Sequence, residues 1–178
     1  KGTFKEQIVP LEVKAPNGKT FTFDTDEGPR PETTLEGLAK LKPAFAGPGG
    51  KGIATAGNSS QTSCGAAATV LASAKAVKEL GLKPMARLRG YAVGAGDPGY
   101  LGPAQIPAID SALKQAGITI ADIGLIECNE AFASQTLYVV KHYNLDPAIV
   151  NVNGGAIALG HPLGATGTKL MATLVNEL

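Results

Sequence analysis

Residues Asn151–Gly167 read NVNGGAIALGHPLGATG, a glycine-rich run. The run contains five glycines and a single histidine, His161, and it has no Asp, Glu, Lys or Arg. Glycine loses more conformational freedom on folding than any other residue, so such a cluster indicates backbone that turns sharply or comes close to another group. The sequence therefore predicts that the backbone around His161 leaves room for another group to come close to the histidine.

Outward from this run, the chain alternates predicted strands and helices from Ile53 onwards. Short apolar runs and period-two alternation predict strands, whereas longer periodic segments with Pro or Gly at their ends predict helices. Alternation of this kind is typical of an α/β layered sheet. The predicted strands are residues 53–57, 85–94, 123–128 and 149–153, and the predicted helices are 63–81, 103–117, 131–144 and 164–178.

Residues 1–52 differ from the rest because they are more polar and are interrupted by turns. Val9–Val13 and Thr20–Phe23 flank an Asn17-Gly18 turn signal, which predicts a β-hairpin. The segment TTLEGLAKL that follows predicts a short helix capped by Thr33 or Thr34. We therefore divide the chain into an N-terminal excursion or lid, residues 1–52, and an α/β part, residues 53–178.

The composition narrows the classes of protein to consider. The 178 residues are 44% hydrophobic and 17% charged, with a formal net charge of +1, so we expect neither nucleic acid nor a membrane surface as a partner. Two cysteines form no disulfide framework and no metal-binding pair, which favours a reducing compartment and no metal. The first residues lack a methionine and a signal peptide, so we expect a segment of a longer, cytoplasmic protein, with mitochondrial or peroxisomal import left open.

Two glycine motifs do not fit nucleotide binding. GAGDPG, residues 94–99, has the letters of a dinucleotide fingerprint, but Pro98 stands where the helix should open. In GATGTK, Thr168 separates the glycine from the lysine that a phosphate-binding loop requires. A plain loop is the simpler interpretation of both.

Polar residues gather at the ends of three predicted strands. CNEAFA, residues 128–133, and TAGNSSQ, residues 55–61, hold the same topological position as the glycine run, and ligands of α/β sheets bind at the C-terminal ends of strands. His161 with Asn129 would supply donors for a developing oxyanion, and the histidine could also accept a proton from a nucleophile. The alternative is three glycine-rich turns with incidental polar residues.

The combination of NEAFA with NVNGGAIALGHPLGATG, with the histidine 32 residues after the asparagine, resembles the thiolase family of acyl-CoA acyltransferases. GNSSQTSCGAAA and DEGPRPETTLEGLAKLKPAF resemble further thiolase segments, so the resemblance covers essentially the whole chain. The sequence RPETTLEGLAKLKPAF together with GNSSQ favours the degradative 3-ketoacyl-CoA branch of the family.

The resemblance implies a thiolase-like fold with α/β/α/β/α layers and an inserted loop domain, incomplete here. Residues 1–52 would be the CoA-binding portion of the loop domain, and residues 53–178 would be part of the core, including most of the C-terminal half. It also implies thiolytic cleavage of 3-ketoacyl-CoA by CoA, or the reverse condensation, through an acyl-cysteine. Coenzyme A is then a substrate, no cofactor is needed, and the complete protein would be a homodimer or homotetramer.

The resemblance also assigns roles to individual residues. His161 would activate the nucleophile and bind the thioester oxygen, Asn129 would hold an ordered water at the oxyanion site, and Glu130 would support both. Ser60 would contact the pantetheine arm of CoA, and the Arg30 guanidinium would stack near the adenine. The remaining substrate-binding positions would be Phe45 and Ala56 along the pantetheine tunnel, Leu101 near the acyl pocket, and Gly160 close to the substrate.

Both cysteines of thiolase chemistry are expected outside this sequence, the nucleophile before residue 1 and the acid–base cysteine after Leu178. Cys128 is expected to be a buried spectator. Cys64 departs from the family, which usually has an aspartate to cap the following helix. Leu101 replaces a methionine that is common there. Two alternatives stay open: a non-catalytic fragment that pairs with the missing half, and another condensing enzyme of the thiolase superfamily.

Overall fold

A computed structural model describes residues 2–178, and its first element is a β-hairpin. Strands β1 (Leu11–Lys14) and β2 (Thr20–Phe23) pair antiparallel, with Leu11 opposite Phe23. Gly18 closes the turn with a φ of 83°, and the Lys19 amide donates to the Asn17 side chain at 3.0 Å. Glycine and asparagine are the residues that favour such a turn, so the predicted hairpin is confirmed.

Helix α1 (Leu35–Ala39) follows the hairpin. The Thr34 hydroxyl accepts a hydrogen bond from the Gly37 amide at 3.0 Å, which satisfies one of the free donors at the helix start. The predicted short helix is therefore confirmed, with Thr34 rather than Thr33 as its cap.

The predicted helix over residues 63–81 is mostly wrong. Only α2 (Ala74–Glu79) forms, and it begins where the Ser73 hydroxyl accepts from the Ala76 amide at 3.1 Å. Upstream of Ser73, Val70 is 94% exposed, so the apolar side chains have no surface to pack on. Short helices depend on such packing because their nucleation is costly. Gly81 ends the helix in a left-handed conformation, as predicted.

The other predicted helices form. They are α3 (Ile106–Ala116), preceded by a 3-10 turn at Pro103–Gln105, then α4 (Ala133–His142) and α6 (Thr166–Glu177). A short helix that was not predicted, α5 (Ala156–Leu159), lies between α4 and α6. The Tyr143 hydroxyl donates to Asp110 at 2.7 Å, which ties the end of α4 to α3. Two further 3-10 turns lie at Ile120–Asp122 and Pro147–Ile149.

The four strands predicted in residues 53–178 are wrong as regular strands. Ile126 and Val150 make one parallel bridge, supported by two 2.8 Å backbone hydrogen bonds, and the pairing extends no further in the described part of the chain. Residues 85–94 pack against a helix and not beside another strand, because Gly90 and Gly94 lie against the backbone of α3. A ladder propagates only where a second strand offers its hydrogen-bonding groups.

Burial is concentrated in the C-terminal third. The buried side chains of the described residues all lie between Gln135 and Thr166, and the apolar ones among them are Val139, Ala156 and Ala165. The accessible surface is 13247 Å² for 18.1 kDa, whereas a folded monomer of that mass exposes about 8,000 Å². Residues 2–178 therefore leave large apolar faces uncovered.

Candidate active site

Backbone pairing joins two of the three polar motifs. The Ser60 amide donates to the Ala131 carbonyl, and the Ala133 amide donates to the Asn58 carbonyl, both at 2.9 Å. Ser59 and Phe132 form the antiparallel bridge between them. This pairing fixes the turn that carries Asn129 and Glu130 beside the TAGNSSQ segment.

The glycine run joins the same place from the other side. Thr62 makes a parallel bridge with His161, and the His161 amide donates to the Ser63 hydroxyl at 3.2 Å. Gly160 has a φ of 88°, and a β-carbon there would overlap the Ser63 side chain. Only glycine suits both conditions, so the histidine reaches this place because its neighbour lacks a side chain. The structure thus brings all three motifs together.

Asn129 and His161 are in direct contact. The Asn129 amide nitrogen lies 3.3 Å from His161 Nε2, and the other ring nitrogen, Nδ1, lies 2.7 Å from the Thr166 hydroxyl. That hydroxyl is also 2.9 Å from the Pro162 carbonyl. Asn129 Oδ1 is buried and has no hydrogen-bond partner among the described residues, so one acceptor of the pair is unsatisfied in this structure.

Glu130 holds the site together. Its two oxygens accept from the Asn151 side chain at 2.8 Å and from the Ile157 amide at 3.1 Å. A β-carbon on Gly155 would overlap the carboxyl group. The carboxylate therefore joins the turn of Asn129 to the glycine run.

Asn151 and Thr166 were not singled out in the sequence analysis. Asn151 has a φ of 49°, and its side chain exchanges hydrogen bonds of 2.7 and 2.8 Å with the backbone of Cys128. Asparagine tolerates this left-handed conformation better than most residues. Thr166 begins α6 five residues after His161, and only the turn between them brings the two side chains together.

A cavity of about 550 Å³ opens beside His161. Predicted substrate-binding residues Phe45, Ala56 and Ser60 line it together with the histidine. Gly160 adjoins it through Ser63, which is also part of its wall. A second cavity of about 540 Å³ shares Ser63 and Leu163 with the first and is lined by Cys64.

Two predicted binding residues lie apart from this cavity. Arg30 belongs to an exposed loop, although Gly28, two residues before it, packs against the Ala158 carbonyl. Leu101 is exposed and adjoins Gly102, which packs against Tyr138 of α4. The structure therefore groups four of the predicted residues around one cavity and places these two elsewhere.

The ionisable groups behind the site are perturbed by burial. Burial raises the pKa of Glu127; Glu130 and Glu177 add to this, and Lys169 opposes it. Burial also raises the pKa of the Cys128 thiol, whose sulfur lies 4.0 Å from Gln105 and Thr136. A raised thiol pKa suppresses the reactive thiolate, so Cys128 is a poor nucleophile.

Within residues 2–178, no helix combines the length and apolar character needed to cross a membrane. The same residues contain no cluster of three or more His, Cys, Asp or Glu side chains that could hold a metal ion.

Comparison with known proteins gives two family matches. The model of the thiolase C-terminal domain matches residues 82–178, and that of the thiolase N-terminal domain matches residues 1–75. The chain is 50% identical over 185 residues to a 3-ketoacyl-CoA thiolase of Bacillus subtilis, covering 99% of this chain and 46% of that protein. It is 50% identical over 177 residues to a mitochondrial 3-ketoacyl-CoA thiolase of Bos taurus, covering 99% and 44%.

A solved structure extends these matches to the fold. The crystal structure of human mitochondrial 3-ketoacyl-CoA thiolase in complex with CoA superposes with a TM-score of 0.81 at 44% identity, over 99% of this chain and 43% of that one. The likeness confirms the predicted α/β fold class. The chain spans less than half the length of the curated relatives named above.

Proposed function

We propose, because this chain belongs to the thiolase family, that its site transfers acyl groups between thioesters of coenzyme A. The favoured reaction is the cleavage of 3-ketoacyl-CoA by free CoA in fatty acid β-oxidation, and its reverse is the condensation of two acyl-CoAs. The observation that carries the proposal is the Asn129–His161 pair: the two side chains lie 3.3 Å apart, and His161 lines a cavity of about 550 Å³.

Each member of that pair has a chemical task in acyl transfer. His161 would accept the proton of a nucleophilic thiol, because the thiolate is the reactive form. The protonated imidazole and the Asn129 amide would then face the oxygen that becomes negatively charged when the thioester is attacked. Fixed donors aimed at that oxygen stabilise the transition state more than the ground state.

The nucleophile itself is expected outside these 178 residues. Cys128 is unsuited to the task because burial raises its thiol pKa and its sulfur faces Gln105 and Thr136. Cys64 lines the neighbouring cavity and not the one that contains His161. The second, acid–base cysteine of the family is likewise expected elsewhere in the protein.

Coenzyme A is the proposed substrate, and no separate cofactor or metal is required. Ser60 would donate to or accept from the amides of the pantetheine arm, with Phe45 and Ala56 as apolar walls. Gly160 would leave room for the thioester. Arg30, on its exposed loop, would meet the adenine end, and Leu101 remains a predicted contact of the acyl chain.

The test uses the whole protein, meaning the complete product of the gene that encodes this chain. Replacement of His161 by alanine should lower kcat for thiolysis of acetoacetyl-CoA by about 10²–10⁴-fold, and Asn129→Ala by about 10²-fold. His142→Ala is the matched control, because His142 is the other histidine of this chain and is exposed at the end of α4. Turnover that survives His161→Ala unchanged would overturn the proposal.

A second candidate is a non-catalytic piece that must pair with a separate polypeptide. The large exposed surface favours it, because apolar faces of this size are normally covered. The intact mass of the purified material under denaturing conditions separates the two. A single species of 18.1 kDa would support the fragment, and a mass more than twice as large would support the enzyme.

The branch of the family, the oligomeric state and the location in the cell are further points of the proposal. A condensing enzyme of the wider superfamily is disfavoured, since such enzymes usually have a second histidine where Asn129 stands. For the whole protein we propose a homodimer or homotetramer in the cytoplasm, without nucleic acid or membrane as a partner. Cell fractionation would distinguish this location from the mitochondrion, where the Bos taurus relative resides by its name, and from the peroxisome.

A further inference from the structure

We propose that Thr166 is a positioning residue that holds His161 in one tautomer, with a hydrogen on Nδ1 and an unprotonated Nε2. The tautomer follows from the hydrogen bonds around the ring. Its consequence for turnover rests on the acyl transfer proposed above.

The Thr166 hydroxyl has a single hydrogen to donate. Its oxygen lies 2.9 Å from the Pro162 carbonyl, which can only accept, and 2.7 Å from His161 Nδ1. When the hydrogen points to the carbonyl, the same oxygen can only accept from Nδ1, so Nδ1 must carry a hydrogen. Donation by a threonine hydroxyl to the carbonyl four residues earlier is a known local hydrogen bond of this residue type.

The opposite side of the ring requires the same tautomer. The Asn129 amide nitrogen is a donor only, and it lies 3.3 Å from His161 Nε2. Nε2 therefore accepts, and its lone pair is free of hydrogen. Thr166 is 5% exposed, so water does not compete for its hydroxyl.

In this arrangement Nε2 of His161 can act first as a proton acceptor and then as a hydrogen-bond donor. The thiol of the nucleophile gives its proton to the Nε2 lone pair, the sulfur keeps the electron pair as thiolate, and the ring becomes an imidazolium. Nδ1–H stays bonded to Thr166 throughout, so the ring need not rotate. The thiolate sulfur then bonds to the thioester carbonyl carbon, and the π electron pair of the carbonyl moves to its oxygen. Nε2–H donates to this oxyanion, and the Asn129 amide, which has lost its acceptor on the ring, is released to donate to the same oxygen.

The first experiment is neutron diffraction from crystals of the whole protein, which locates deuterium on the ring nitrogens directly. At a pH where the ring is neutral, we expect deuterium on Nδ1 and none on Nε2. Deuterium on Nε2 alone would overturn the proposal, and this measurement needs no variant and no activity.

The second experiment compares Thr166→Val with Thr166→Ser. Valine keeps the shape and removes the hydroxyl, whereas serine keeps the hydroxyl. Orienting partners of this kind are typically worth about 10–100-fold in activity, so we expect kcat of the valine variant to fall by that factor with KM changed less than about threefold. The serine variant should retain kcat within about threefold. If the valine variant does not fold, Thr166→Ala takes its place.

The outcomes separate this proposal from the proposed function. A His161 ring that is rotated or has exchanged its tautomer in the valine variant, with the serine variant keeping the original ring, supports the positioning role whatever the enzyme assay gives. If the unaltered protein shows no acyl transfer but the variants behave in this way, the proposed function is refuted and the role of Thr166 stands. An unchanged tautomer and an unchanged kcat in Thr166→Val would refute the role of Thr166.

Discussion

The carboxyl group of Glu130 fills the space in which any other residue at position 155 would carry its β-carbon. Gly155 is buried, and its φ of −115° is open to every residue type, so the requirement for glycine is one of space. The absence of a side chain at position 155 thus allows Glu130 to reach the Ile157 amide and the Asn151 side chain.

Gly155→Ala should therefore destabilise the protein and disturb the site. Overpacking a buried position costs about 1–3 kcal/mol, and displacement of Glu130 would break two hydrogen bonds behind Asn129. Thermal unfolding of the whole protein should show a lower Tm. Gly167→Ala is the control, because a β-carbon in α6 there meets open space and alanine favours a helix by up to about 1 kcal/mol. Equal Tm values for the two variants would contradict the prediction.

Asn151 and Asn144 provide a matched pair for the role of the Asn151 side chain. Both have a φ near 50°, but Asn151 is half-buried and donates to Cys128 and Glu130, whereas Asn144 is exposed. Asn151→Asp keeps the shape, removes both donors and sets one carboxylate against another. Each lost buried hydrogen bond costs about 1–3 kcal/mol, so we expect a clear drop in Tm.

The control for that substitution is Asn144→Asp, which keeps the same backbone conformation at the end of α4. It should leave Tm nearly unchanged, since surface substitutions of this kind are usually within about 0.5 kcal/mol. A drop in Tm of similar size in both variants would show that the backbone conformation, and not the side-chain hydrogen bonds of Asn151, is what matters.

The sequence predicted the structure well where an element depends on interactions between residues that are close in sequence. The hairpin around Gly18 and the cap at Thr34 depend on residues within three or four positions, and both were predicted. The strand predicted at 85–94 was wrong because a strand depends on a neighbour, and in the described residues its glycines lie against α3 instead.

The candidate site shows the same division. His161 and Asn129 were found through their motifs, and the structure joins them directly across 32 positions. The sequence patterns do not identify Asn151 and Thr166, because these residues act through contacts with Cys128 and His161 that no local pattern encodes. Such supporting residues become visible only when the turn that carries them is folded.

The two cysteines should differ in reactivity towards iodoacetamide. Cys64 is exposed, whereas Cys128 is partly buried and burial raises its thiol pKa. Because the thiolate is the nucleophile, Cys128 should react at least about tenfold more slowly at neutral pH and should accelerate only at a more alkaline pH than an ordinary thiol requires. Peptide mass spectrometry of the labelled protein measures both rates, and labelling in guanidinium chloride should make them equal. Equal rates in the folded protein would contradict the prediction.

Glu127 should make the protein less stable as the pH rises. Burial raises its pKa in the folded state above the ordinary value of 4.5, with Glu130 and Glu177 adding to this and Lys169 opposing it. The folded state then binds the proton more tightly than the unfolded state, so the contribution of Glu127 to stability is full below pH 4.5 and is lost as the pH rises above it. One of its carboxylate oxygens is also buried without a partner among the described residues.

Glu127→Gln removes this titration. The variant should have a higher Tm than the unaltered protein at pH 7–8, and the difference should shrink as the pH falls towards 4.5. Glu79→Gln serves as the control, because Glu79 is exposed and its pair with Lys75, at 3.8 Å on the surface of α2, contributes little to stability. A Tm difference for Glu127→Gln that stays constant from pH 4 to 8 would mean that the carboxyl group is not desolvated in the folded protein.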